Sequence, residues 1–168
     1  THYASCFTAA THAENYHLKW CFDGGSTVHI ANDFQVASLV RYDRSKLTFA
    51  NRDRVLCTQT ADISLRVQVP QGLSTITLRD VVIMPQAPCC LISESRLNAV
   101  NLAVVKSQGT CIVYSTITKA IKLTGSIGDI KGLYFLNALV QASSNTRNIS
   151  APIPSGLKAK PRGKSIHL

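Results

Sequence analysis

A chain of 168 residues is long enough for one domain with some length left over, and 45% hydrophobic residues suffice for a real core. No apolar run approaches the roughly 20 residues of a membrane-spanning helix, and residues 1–13 lack the charged start and apolar stretch of a signal peptide. The net charge of +9 is uneven, because residues 141–168 hold Arg147, Lys158, Lys160, Arg162 and Lys164 and no acid.

Residues 1–18 are rich in Ala, Thr and His, show no clear period and read as a linker that includes His12 and His17. Residues 19–139 alternate short apolar runs with turn signals. Lys19–Phe22 is a predicted strand running into the turn Asp23-Gly24-Gly25, with a second strand over Ser26–Ile30. Leu47–Phe49 and Val55–Thr58 flank a polar turn at Asn51-Arg52-Asp53. Ile63, Leu65, Val67 and Val69 alternate with Ser64, Arg66 and Gln68, the period of a half-buried strand. Pro70-Gln71-Gly72 is a turn, and the strand over Thr75–Met84 stops at Pro85. Leu91–Leu97 is the best helix candidate, with Ser93 as its cap. Further strands fall near Ala103–Lys106, Cys111–Tyr114, Ala120–Leu123 and Gly132–Leu136. Strands this short and this closely spaced indicate an all-β barrel or sandwich with one short helix. Residues 140–168 carry Ser, Asn, Lys and three of the six prolines, so a disordered or extended linker is expected there. Its cations offer non-specific contacts to nucleic acid as an alternative role.

Cys6, Cys21, Cys57, Cys89, Cys90 and Cys111 have no zinc-type spacing and no His partner for thiol chemistry. They read as reduced, buried thiols of a cytosolic protein. His29 has no second metal ligand at suitable spacing and reads as a packed or turn histidine, while Trp20 reads as a core or dimer-face anchor.

The segment that carries chemistry is Trp20-Cys21-Phe22-Asp23-Gly24-Gly25-Ser26-Thr27-Val28-His29. An apolar strand delivers a carboxylate onto a Gly-Gly turn, where bare amide N–H groups can hold it and glycine can take conformations that side chains forbid. Two such turns facing each other give two carboxylates that share one proton and activate a water between them. Only Asp23 sits on such a turn, so the pair requires a twofold homodimer.

Alone, an Asp-Gly-Gly turn is an ordinary surface feature. Further landmarks follow it in order: Leu47-Thr48-Phe49-Ala50-Asn51, Leu78-Arg79-Asp80-Val81-Val82-Ile83-Met84-Pro85, Cys90-Leu91-Ile92-Ser93-Glu94-Ser95-Arg96-Leu97 and Gly132-Leu133-Tyr134-Phe135-Leu136. In this order the chain resembles the protease region of copia-type retrotransposon polyproteins over about residues 19–139. Ser165-Ile166-His167-Leu168 looks like the start of the segment that precedes the integrase in those polyproteins, so the chain reads as a piece of a longer one. The resemblance implies a retropepsin-like closed β-barrel that forms one half-site of a homodimer, with Asp23 catalytic and Gly24, Gly25, Ser26 and Thr27 supporting the turn. It also implies that Asp23 packs near Leu91-Ile92-Ser93. The implied substrate is a Gag-Pol polyprotein peptide lying under flaps formed by residues 49–63, with no metal or organic cofactor and no membrane partner. The implied location is the cytoplasm, within virus-like particles if the element is active.

Three departures from that family stand out. Gly24 replaces a Ser or Thr whose hydroxyl locks the two turns across the dimer axis. Ser26 replaces the usual Ala, and its hydroxyl is expected to bond the outer oxygen of Asp23. Residues 50–64 contain no glycine, so the flap has stiffer hinges than usual. A protease-like domain without activity is therefore the alternative to a competent enzyme, with a nucleic-acid-binding module the more distant one.

Overall fold

The computed structural model describes residues 2–4, 19–32, 37–49, 52–129, 132–137 and 139. Of the expected linker at residues 1–18, residue 1 and residues 5–18 lie outside them, as does the basic tail at residues 140–168; Cys6, His12 and His17 are among these. The strands are β1 (His2–Ala4), β2 (Trp20–Asp23), β3 (Ile30–Ala31), β4 (Ala37–Phe49), β5 (Arg54–Val69) and β6 (Gly72–Ile83). They continue as β7 (Cys90–Ser93), β8 (Leu102–Ser107), β9 (Thr110–Ser115), β10 (Ile121–Ile127) and β11 (Tyr134–Leu136), and the one helix among the described residues, α1 (Glu94–Asn98), follows β7. The described residues are all-β with one short helix, as the strand periods foretold. No described helix is long and apolar enough to cross a membrane.

All the strands join one sheet in the order β1-β4-β5-β6-β3-β7-β2-β11-β10-β9-β8. That order has two ends, so the hydrogen-bonded sheet is open and the expected closed barrel is corrected. The sheet curls instead: β10 packs on β5 and β6, and Leu139 bridges Val67. Edge strand β1 runs parallel to the end of β4, so the stretch read as a linker contributes a strand at His2–Ala4.

Alternation decides which side chains fill the interior. On β5, Ile63, Leu65, Val67 and Val69 are buried while Ser64, Arg66 and Gln68 are exposed. Those four join Phe22, Ile92 and Leu123 in one apolar cluster. The neighbouring residues of the central strands point the other way: Cys21, Ile30, Val82 and Leu91 join Leu47, Met84 and Phe135 in a second cluster. The middle of the sheet is thus covered on both faces, and β2 and β7 are buried along their whole length. Cys21, Cys57, Cys89, Cys90 and Cys111 are buried, in line with their reading as buried cysteines.

The expected strand at 55–58 and the alternating run at 63–69 form one strand, because Asp62 between them is paired. Its Oδ1 accepts from Arg41 at 2.8 Å and from the Asp80 N–H at 3.2 Å. The bond to Arg41 holds the Asp62 carboxyl below the usual carboxylate range. Opposite it, β6 carries a bulge. Ala61 pairs with Val81 and Ile63 with Leu78, which leaves Arg79 and Asp80 both outside, and Asp80 takes a left-handed φ of 52°.

Burial of this kind sets a clear contrast between faces. Leu65→Ala is expected to lower stability by about 3 kcal/mol, since it leaves a cavity among fully buried neighbours. Arg66→Ala, on the exposed face, is expected to change it by less than about 0.5 kcal/mol. Urea denaturation of both variants checks the pair, and equal losses would contradict the assigned faces.

Candidate active site

β2 runs parallel to β7 with Trp20, Cys21, Phe22 and Asp23 opposite Cys90, Leu91, Ile92 and Ser93. The expected proximity of Asp23 to Leu91-Ile92-Ser93 is therefore met by direct strand pairing. On its other side β2 meets β11, with Phe135 opposite Cys21. Trp20 is a core residue, 3% exposed.

Asp23 ends β2 and is only 4% exposed. Its Oδ1 accepts from the Gly25 N–H at 2.8 Å, the backbone hold that the Asp-Gly-Gly turn promised. Gly24 and Gly25 themselves are exposed. Gly24 does not use the left-handed region, and a Cβ placed there would meet the Glu94 Oε2 at 3.5 Å, an ordinary contact. Glycine is thus not required at position 24 by backbone conformation.

The expected strand at Ser26–Ile30 is mostly turn, and only Ile30–Ala31 forms β3. The cause is Ser26. Its hydroxyl donates to the Val28 carbonyl at 2.7 Å and closes a local turn that competes with extended pairing. That single proton is committed to Val28, so the expected donation from Ser26 to Asp23 is corrected. Thr27 is exposed beside it.

The turn is held from beneath by Ser93, which is fully buried. Its Oγ donates to the Ser26 carbonyl at 2.6 Å and accepts from the Arg96 N–H at 3.3 Å, so it is also the N-cap of α1. Its N–H donates to the His29 Nδ1 at 3.0 Å. His29 is a packed histidine, 4% exposed. Burial, helped by the nearby Arg96 charge, lowers its pKa to about 4.

Lys106 is a residue that the sequence did not single out. It sits on β8, far along the chain, and donates to the Phe22 carbonyl at 3.2 Å. It also pairs with Glu94 and lies 5.5 Å from the centre of the Tyr134 ring. One ammonium thereby ties together the strand that carries Asp23, the start of α1 and β11. Glu94 was visible only as the residue after a capping serine, and nothing in the local pattern around Lys106 announced its partner.

Residues 20–102 match the family model described as Pol polyprotein, beta-barrel domain. No curated protein and no solved structure matches the chain. The family match supports a place for this segment in a retroelement Pol polyprotein. It ends at the first residue of β8, so Lys106, β9, β10 and β11 lie beyond it.

The state of His29 has a measurable consequence. Its folded pKa of about 4 lies below the ordinary value of 6.5, so in that window the unfolded chain binds the extra proton. The stabilisation is complete above about pH 6.5 and is lost as pH falls towards 4. Between pH 7 and 4.5 this one group is expected to remove about 2–3 kcal/mol of unfolding free energy. Denaturant titrations at the two pH values should show that drop in the parent chain and a flatter response in His29→Asn. Equal slopes would mean that the imidazole is not held neutral.

Proposed function

We propose that this domain is one subunit of a homodimeric aspartic endopeptidase that processes the retroelement polyprotein containing it. The observation that carries the reading is the Asp23 carboxylate, buried at a strand end and oriented by the Gly25 N–H. The family match over residues 20–102 supplies the polyprotein context. The copia type is the finer assignment and rests on the order of sequence landmarks from Trp20 to Leu136.

In the proposed dimer Asp23 faces its symmetry mate. Two close carboxylates cannot both ionise easily, so they share one proton. The ionised member draws a proton from the water held between them as it attacks the scissile carbonyl. The protonated member steadies the developing oxyanion, and a proton then passes to the leaving nitrogen. Substrate lies extended and pairs as an added strand against residues 49–63. Such a pair favours a mildly acidic medium, whereas protonation of His29 near pH 4 weakens the fold that holds the turn. The two effects together give a narrow working range on the acid side of neutrality.

A protease-like domain without activity is the second reading, and Gly24 is what favours it. With no hydroxyl at that position, the two turns lose a symmetric pair of hydrogen bonds, each worth about 1 kcal/mol.

Activity is expected to be second order in protein at low concentration, because only the dimer holds two carboxylates. Asp23→Asn should abolish cleavage of a peptide spanning the domain boundary. Gly24→Ser fits the space beside Glu94. It should tighten the dimer about 30-fold, the effect of roughly 2 kcal/mol, and raise activity in step. Sedimentation paired with a cleavage assay tests all three. Cleavage that survives Asp23→Asn would sink the mechanism. Tight dimers that still do not cleave would favour the inactive reading.

A further inference from the structure

A cleft of about 430 Å³ opens between β6 and α1 and plays no part in the proposed hydrolysis. Arg79 and Arg96 stand on its rim, His29 reaches it from the interior, and Leu97 and Leu102 form an apolar floor. The β6 bulge is what brings Arg79 there, because it turns two successive residues outward where a regular strand would turn one.

The charged groups lining this cleft are two cations and one acid. Neither Arg79 nor Arg96 has an ion-pair partner within bonding distance among the described residues. Asp80, the acid at the rim, is already bonded to Arg41 at 2.7 Å. His29 spends Nδ1 on accepting the Ser93 N–H, so its neutral ring carries the proton on Nε2. The residue is 4% exposed and lines the cleft. Two guanidinium groups and one imidazole N–H lining an apolar-floored cleft form a site for an anion with an apolar neighbour. A nucleic-acid strand would want aromatic platforms for its bases, and among the described residues no aromatic ring apart from His29 lines the cleft.

We propose that this cleft binds an acidic peptide segment, its carboxylate held by Arg79, Arg96 and the His29 Nε2–H and its adjoining apolar side chain seated on Leu97 and Leu102. The site is separate from the Asp23 turn, so binding does not depend on catalysis. It is nevertheless joined to that turn through Ser93, which touches both His29 and Ser26.

The test uses the full 168-residue chain carrying Asp23→Asn, so that no peptide is consumed and the outcome does not depend on hydrolysis. The probes are acetyl-Ala-Leu-Glu-Leu-amide, the same peptide with Gln in place of Glu, and an eight-nucleotide oligothymidylate, followed by nuclear magnetic resonance titration. The Glu peptide is expected to shift the His29 ring and Leu102 methyl signals to saturation. The Gln peptide should bind at least about tenfold more weakly, as should the Glu peptide to the double variant Arg79→Gln/Arg96→Gln. Both arginines are exposed, and an unchanged circular dichroism spectrum verifies that the variant folds. Equal binding of the Gln peptide, undiminished binding by the double variant, or displacement of the peptide by the oligonucleotide would each overturn the proposal.

Discussion

Ser93 spends every polar atom it can on neighbours that are distant in sequence or on the helix it starts. Its N–H reaches the His29 ring, its hydroxyl proton goes to the Ser26 carbonyl, and its oxygen lone pair caps α1. Because it is fully buried, each bond lost would leave a polar group unpaired in an apolar surrounding, at a cost of about 1–3 kcal/mol. This one residue therefore fixes three things at once: the turn that follows Asp23, the tautomer of His29 and the first turn of the helix. The parallel pairing of β2 with β7 puts it opposite Asp23 in the first place.

Around that point the sheet supplies rigidity from both faces. β2 is sandwiched between two apolar clusters, so the strand that carries the carboxylate has little room to shift. Gly125 shows how tight the arrangement is. A Cβ there would fall 2.5 Å from the Phe135 carbonyl oxygen and 2.8 Å from the Phe22 ring. Here glycine is needed for close approach, whereas at Gly24 the space beside Glu94 leaves room for a side chain. The exposed half of the turn is thus the adaptable part and its buried half the fixed one.

Much of this was legible in the chain itself. Alternation on Ile63–Val69, the turn at Pro70-Gln71-Gly72 and the stop at Pro85 all follow from local rules, and the structure follows them. Ser93 was legible as a cap because hydroxyl side chains satisfy bare N–H groups at helix starts. Other features depend on contacts that no window reveals. Ser26 and Thr27 sit in a stretch with strand-like composition, yet one hydroxyl bond to Val28 turns the chain instead. Asp62 looks like a break in β5 until Arg41 is seen to pair with it. The open order of the sheet, the strand at His2–Ala4 and the reach of Lys106 from β8 to Phe22 are long-range outcomes of the same kind.

The position of β11 carries a consequence for the order of events during synthesis. β2 needs two neighbours, and they are made at very different times: β7 follows some seventy residues later, and β11 is completed only with Leu136. At ordinary ribosomal rates of about 5–20 residues per second, β2 waits on the order of ten seconds for its second flank. Until then the backbone on one side of Cys21 lacks the Phe135 strand, and the ammonium of Lys106 has no Tyr134 ring beside it. The carboxylate strand is therefore framed last from its downstream side. A nascent chain would carry Asp23 for most of the domain's translation before the strand that holds it is enclosed.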